Sequence, residues 1–320
     1  VTVHGLRAIV AKELADHFSS YRFVILFALI AMVSLITVYI VGLNIREQLA
    51  EVAKPKLVFL MLFTSAGGFF SLVDFVAFFG PLIGLIMGFD AINRERNEGT
   101  LSKLLAQPIY RDDIINAKFI SGIILVAVVL VSIVAVITGL GLITMGVIPG
   151  VEEIARIAIY LLVSVVYIAF WLGVAMLFSI LFRSVATSAL AGIALWICFS
   201  FFISLGAGAV AKALTPEAGQ DKPEAMLRRA KIQQSLSLTS PMQLYAGASA
   251  TIIDPMRRTT RSLVQMGMME QISLARFSAP LALSQSILVV VPYLISLGAI
   301  TLICFAVSYT VFMRQEIRSL

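Results

Sequence analysis

The chain has 320 residues, a formal charge of +6 from 24 Lys and Arg against 18 Asp and Glu, and a composition 60% hydrophobic and only 13% charged. A soluble domain carries about 25% charged residues, so a soluble enzyme, a disordered chain and a disulfide-stapled secreted domain are all excluded. What remains is an all-α integral membrane protein, in which the basic excess speaks to sidedness in the bilayer rather than to nucleic acid.

Residues 1–20 are a mixed polar stretch, not the short apolar run and cleavage site of a signal peptide. Within them Leu6, Ile9, Val10, Leu14, His17, Phe18 and Tyr21 recur at three- and four-residue steps, with Lys12 and Asp16 off the stripe. This predicts an amphipathic helix over 5–21, lying either along the membrane interface or against protein. His17 has no companion ligand nearby and reads as interfacial; no metal site is expected. Six apolar runs follow, at about 23–43, 69–89, 119–142, 157–182, 185–210 and 286–313. Each reaches the roughly 20 residues a helix needs to cross a bilayer. In lipid each must be helical, because only then does a span satisfy its own backbone hydrogen bonds.

Six crossings place both termini on one side. That side holds Arg7, Lys12, Arg22, Arg94, Arg96, Lys103, Arg111, Lys118, Arg183, Arg314 and Arg318, while the short loops opposite hold Arg46, Lys54, Lys56 and Arg156. Eleven against four predicts cytoplasmic termini in the cell membrane. The stretch 44–68 reads as a short external loop, and 211–285 as a large external insertion. In the latter, helices are expected from Glu224 to about Ser237, from Ser240-Pro241 to Asp254-Pro255, and across Thr260 to Ala275, forming a small subdomain above the membrane. Cys198 and Cys304 lie inside apolar runs and indicate no disulfide framework.

The cytoplasmic stretch 90–118 carries the most information. Span 2 runs into a charged turn and stops at Gly99, the residue helices favour just past their ends. Thr100 is placed to cap a new short helix with Leu101, Leu104 and Leu105 on one side, and Pro108 ends it. Asp112 and Asp113 then suit the start of the next helix. Two readings follow from spacing: a short helix built to be gripped by another protein, or leucines packed against their own helix ends beneath a solvated face of charge.

The pattern Phe89-Asp90-x-Ile92-x-x-Glu95-x-x-x-Gly99-Thr100-Leu101-x-x-Leu104-Leu105-x-x-Pro108-Ile109-x-Arg111 resembles the cytoplasmic loop of type-2 ABC transporter permeases. It is most similar to the six-span group that includes the nitrous-oxide-reductase maturation permease. Ser240-Pro241 followed by Leu244-Tyr245, and the ending from Val311 to Arg318, support the likeness across the whole chain. One departure is an external region longer than the short re-entrant helices of drug and polysaccharide members. The resemblance implies a homodimer, or a pair of related permeases, bearing two cytoplasmic ATPase subunits that bind ATP and Mg. It further implies that the N-terminal helix is an elbow helix. Glu95, Glu98, Gly99, Thr100, Leu101, Leu104, Leu105, Pro108 and Arg111 would then form the ATPase-coupling element.

The chain itself has no phosphate-cradling loop: none of its 21 glycines is followed by lysine. It is therefore expected to be a non-catalytic subunit that binds no cofactor of its own. Asp74, about a turn inside the outer end of span 2, is a candidate for a translocation path or a partner contact, against the alternative that it reaches the interface. The phenylalanines Phe69, Phe70, Phe75, Phe78 and Phe79 read as packing, and the glycines near the outer ends of spans 3 and 5 as close helix contacts. An apolar path suits a lipid, a hydrophobic drug or a peptide. Export of such a substrate is thus the leading expectation. A mechanotransmission complex, contacting an extracytoplasmic protein through Arg257, Arg258 and Arg261, is the second. An ATP-independent secondary carrier is the third.

Overall fold

The computed structural model describes residues 2–21, 57–63, 72–101, 109–146, 148–215, 223–254 and 282–315, with parts of 23–39. Every regular element among them is a helix. The N-terminal helix is Thr2–Phe18, span 2 Leu72–Gly88, span 3 Arg111–Met145, span 4 Val151–Leu181 and span 6 Leu283–Arg314. Span 5, Val185–Leu214, carries a π-helical turn at Cys198–Phe202. These five spans are long and apolar enough to cross a membrane, and the number is six if the pair Gly5–Phe18 and Phe23–Met32, bent by 62°, is counted as one broken span. Spans 3, 4 and 6 extend past the predicted apolar runs by up to several residues, because helical hydrogen bonding continues beyond the hydrocarbon.

Span 4 is the hub: Tyr160, Tyr167, Trp171 and Met176 are fully buried, and spans 2, 3 and 6 pack round it. Lipid tails are as apolar as leucine, so helices in a bilayer associate through close packing and interhelical hydrogen bonds. Both are visible here. Gly80, Gly84 and Gly88 face span 4, where a Cβ on Gly84 would stand 2.7 Å from the Ile168 carbonyl oxygen and 2.9 Å from the Leu172 nitrogen. Pro81 lies inside span 2 and lacks the N–H that would bond the Ala77 carbonyl. That carbonyl instead accepts a 2.7 Å hydrogen bond from the Tyr167 hydroxyl of span 4. Phe75 is buried, and Phe78 stacks edge-on against Trp196 of span 5, in keeping with their reading as packing residues; Phe69 and Phe70 lie outside the described residues.

Two expectations about the far end of the bundle are corrected. The segment 44–68 is not simply an external loop, because its 3₁₀ turn Val58–Leu62 is inserted into the core, with Phe59, Leu60, Leu62 and Phe63 all buried. It is held there by Glu153 of span 4, whose Oε1 accepts from the Phe59 amide at 2.9 Å. The side chains of Leu62 and Phe59 fill the notch at Gly141 of span 3.

The second correction concerns the helices expected above the membrane. Pro223–Ser237 and Pro241–Ile253 begin and end nearly as predicted, but they form a hairpin whose second helix enters the bundle. The first helix packs along the Ile203–Leu214 half of span 5. At the hairpin tip the Ser240 hydroxyl, expected to cap the second helix, instead donates to the Phe199 carbonyl within the π turn at 2.9 Å. The second helix then returns along span 4. Tyr245 stacks on Tyr167 at 4.4 Å, near the middle of that span, and shares a 3.0 Å hydrogen bond with Ser164. Its last turn is pinned by the fully buried Arg156, which donates to the Ile252 carbonyl at 3.0 Å and to Ser286 of span 6 at 3.2 Å. The sequence PMQLYAGASATII permits this, because its polar groups are few and its residues small enough for close approach. The helix expected at 260–275 lies outside the described residues.

Candidate functional site

The N-terminal helix, residues 89–101 and the ends of spans 3, 4 and 6 gather at one end of the bundle. Span 2 stops at Gly88, a turn follows, and a five-residue helix, Asn93–Asn97, is set across the helix ends. Its first amides have no intrahelical partner. The buried Ser179 hydroxyl of span 4 supplies one, accepting from the Ile92 and Asn93 amides at 2.9 and 3.1 Å. Asn97 donates to the Arg183 carbonyl just past the same end of that span. The outer face carries an exposed Arg94–Glu98 pair at 2.9 Å, which contributes little to stability. Gly99 then turns the chain at φ +69°, in the left-handed region, with open space where a Cβ would stand.

Behind this face lies a buried group of charges. The Lys118 ammonium at the start of span 3 contacts Glu13 of the N-terminal helix at 3.0 Å and Glu95 of the short helix at 2.8 Å. The three side chains are 6%, 11% and 13% exposed, so the pairs are barely screened by water. The three side chains border an open cavity of about 730 Å³, lined also by Asp16, His17, Asp90, Arg94 and Glu98 among others. A second knot is made by Gln315 at the end of span 6. It accepts from Arg96 and from Arg111, and donates to the Ile180 carbonyl of span 4.

Burial alone would raise the Glu13 pKa, but the charge and hydrogen bond of Lys118 bring it below its ordinary value of 4.5. The folded state therefore binds fewer protons than the unfolded state as the pH drops. The stabilisation is fully present above about pH 4.5 and is lost as pH falls through the lower folded-state value. Burial, outweighing Glu13, holds His17 below its ordinary 6.5 and so largely uncharged at neutral pH. In detergent-solubilised protein, Glu13→Gln is expected to lower the melting temperature at pH 7 and to flatten its decline below pH 4.5. Parallel melting-temperature curves for the two proteins would show that Glu13 is not the group involved.

The predicted residues meet different fates. Glu95, Glu98, Gly99, Thr100 and Arg111 come together at this end of the bundle. Thr100 is itself helical and its hydroxyl donates to the Glu95 carbonyl at 3.2 Å; the helix it is expected to cap lies outside the described residues. Leu101, expected on the gripped face, turns inward at 1% exposure into a cluster with Ile92, Ile115 and Phe312. The reason is geometric, since the Gly99 turn folds the chain back over the ends of spans 3 and 6. Leu104, Leu105 and Pro108 lie outside the described residues, as do Arg257, Arg258 and Arg261. Asp74 sits exposed in the first turn of span 2, where the helix dipole favours a carboxylate, rather than inside the helix bundle.

The apolar stripe of the N-terminal helix does pack on protein. Leu6, Ile9 and Val10 meet Ile109, Ile114 and Ala117, while Phe18 and Tyr21 are left exposed. Glu13, Lys118, Ser179 and Gln315 were not among the predicted site residues. One signal for Glu13 was present: it stands within an apolar stripe, where a carboxylate demands a partner. Another was the Gly80-x-x-x-Gly84-x-x-x-Gly88 spacing, which marks a close helix contact.

A family model described as ABC-2 family transporter protein matches residues 7–317, nearly the whole chain. The chain belongs to the ABC-2 transporter family. This ABC-2 protein is a multi-pass cell-membrane protein, the membrane subunit of an ABC transporter, a class that pairs with an ATP-binding subunit and is generally non-catalytic itself. No curated protein matches the chain.

Proposed function

We propose that this ABC-2 protein couples ATP hydrolysis by a separate cytoplasmic ATPase to the export of a hydrophobic or amphiphilic substrate. The observation that carries the reading is the anchoring of the short helix Asn93–Asn97 and its flanks. Hydrogen bonds and ion pairs tie this element to the N-terminal helix and to spans 3, 4 and 6, and it continues directly from span 2. A push on its exposed face, at Arg94, Asn97 and Glu98, reaches five elements at once. Two arrangements of the spans can be biased by a partner only if it contacts them differently in its two states. An element gripped from outside and bound within supplies that contact. The count of eleven basic residues against four supports a cytoplasmic position for this end and both termini. A second copy of the chain and two ATPase copies complete the assembly.

The apolar character of the cargo is supported by the exposed faces of spans 5 and 6, where Leu190, Phe202, Leu205, Leu288, Ile295 and Leu302 stand with no charged residue between them. The mechanotransmission alternative rests on the length of 211–285. Packing of its helix Pro241–Ile253 into the bundle removes that part of the surface such a lever would use.

The reading is tested by co-purifying the chain with its cytoplasmic ATPase. Leu104→Asp with Leu105→Asp, and separately the charge swap Arg94→Glu with Glu98→Arg, are each expected to weaken association about tenfold or more while leaving the chain monodisperse. Full assembly and ATPase stimulation in both variants would overturn it. In liposomes, ATP-dependent efflux of an amphiphilic dye supports export, whereas ATP turnover without efflux, together with capture of an extracytoplasmic protein, favours the alternative.

A further inference from the structure

One ammonium group carries two buried carboxylates from different parts of the chain. Glu13 belongs to the N-terminal helix, Glu95 to the short helix of the loop, and Lys118 to the first turns of span 3. The geometry is restrictive. Glu95 uses only Oε1, and its Oε2 is buried with no hydrogen-bond partner among the described residues, so the side chain has no alternative contact to slide to. Glu13 has a competing cation in Lys12 at 3.6 Å, but that ammonium is half exposed and shared with Asp16. Pulling either carboxylate away from Lys118 would break an ion pair between largely buried side chains, which costs more than breaking an exposed one. Apolar contacts already lock the N-terminal helix to span 3 through Ile9, Ile114 and Ala117. One apolar contact also reaches across, since Leu14 of the N-terminal helix packs in the cluster of Ile92 and Leu101 that flanks the short helix, but the short helix Asn93–Asn97 itself is polar throughout and meets the N-terminal helix through Lys118.

We propose that Lys118 is the joint of the coupling machinery, the positioning residue through which movement of the loop is carried to the N-terminal helix and span 3 as one body. This rests on the coupling reading above and adds a residue and a route to it. Without the joint, the loop would keep its ties to spans 2 and 4 through continuity and Ser179, and only the apolar contact at Leu14, which can slide, would link it to the N-terminal helix. A lysine suits the task because its three N–H donors serve two acceptors at once. Arginine would preserve the charge and offer a fork to the same acceptors.

The test uses the full complex of this chain and its ATPase in lipid nanodiscs, followed by hydrogen exchange with and without ATP and vanadate. In the unmodified protein, nucleotide is expected to change exchange in peptides covering both 93–101 and 2–18. In Glu95→Gln, which keeps the Glu13–Lys118 pair, the loop response should persist and the response of 2–18 should be lost. Lys118→Met should behave in the same way if it folds, and Lys118→Arg should restore the response. A nucleotide response of 2–18 undiminished in Glu95→Gln would overturn the proposal. Absence of any response at 93–101 in the unmodified protein would overturn the coupling reading itself, and this proposal with it.

Discussion

Gly84→Ala is expected to destabilise the protein by about 3 kcal/mol, the upper end of what inserting a methyl group into a closed contact costs. The added Cβ would meet backbone on span 4, the Ile168 carbonyl oxygen and the Leu172 nitrogen, as well as the Trp171 Cβ, all within 3.0 Å. None of these is the free end of a flexible side chain, so the two spans themselves must part. Parting them also strains the Tyr167 hydrogen bond to the Ala77 carbonyl, two turns away along span 2. Gly99→Ala would fill open space and strain only the backbone, because its φ is positive. A reversible unfolding series in mixed micelles should rank Gly84→Leu below Gly84→Ala, and both well below Gly99→Ala. Equal stability of Gly84→Ala and the parent would contradict the span 2–span 4 contact described above.

Tyr245→Ala is the second large effect, expected at about 2–3 kcal/mol. In a soluble core the loss of a buried aromatic ring costs about 3–5 kcal/mol, part of which is transfer from water. Within a bilayer the unfolded reference is also apolar, so mainly the packing share remains. Here that share is large: the ring is fully buried, lies 14° from coplanar with Tyr167, and its hydroxyl meets Ser164. Tyr245→Phe keeps the ring and should cost well under half as much, since interhelical hydrogen bonds in membranes average about 0.6 kcal/mol. The pair of variants separates two architectures. On a surface subdomain outside the bundle, truncation at this position would fall within about 0.5 kcal/mol of zero.

The buried hairpin also changes the physical picture of transport. A helix wedged between spans 2, 4 and 6, and closed at its outer end by Arg156, blocks the middle of the bundle from the far side. Rearranging the spans must therefore shift the Tyr245–Tyr167 contact or carry the hairpin along with span 4. Its polar ties are few and specific: Ser240 to Phe199, Tyr245 to Ser164, and Arg156 to Ile252. These are the points at which a moving bundle would hold or release it.

Much of the architecture was legible in the sequence. Continuous apolar runs of bilayer length admit only helices, so the crossings follow from solvent physics with little help from tertiary contacts. The break at Gly99, the acidic start of span 3 and the ends of both hairpin helices were likewise readable, because caps and breakers act over three or four residues. What composition could not reveal was depth. The helix 241–253 is neither charged enough to require water nor long enough to span a bilayer, so its placement depended on partners some 80 residues away, Ser164 and Tyr167. Leu101 turned inward for the same kind of reason, through contact with Phe312 more than two hundred positions along the chain. Only the tertiary structure could bring Glu13, Glu95 and Lys118 to one point, since a buried charge is tolerable where opposite charges converge, and convergence is a property of the fold. The sequence alone thus determined that the chain crosses the membrane several times as helices and where those helices break. The packed bundle decided which segments lie inside it and which charges are held together.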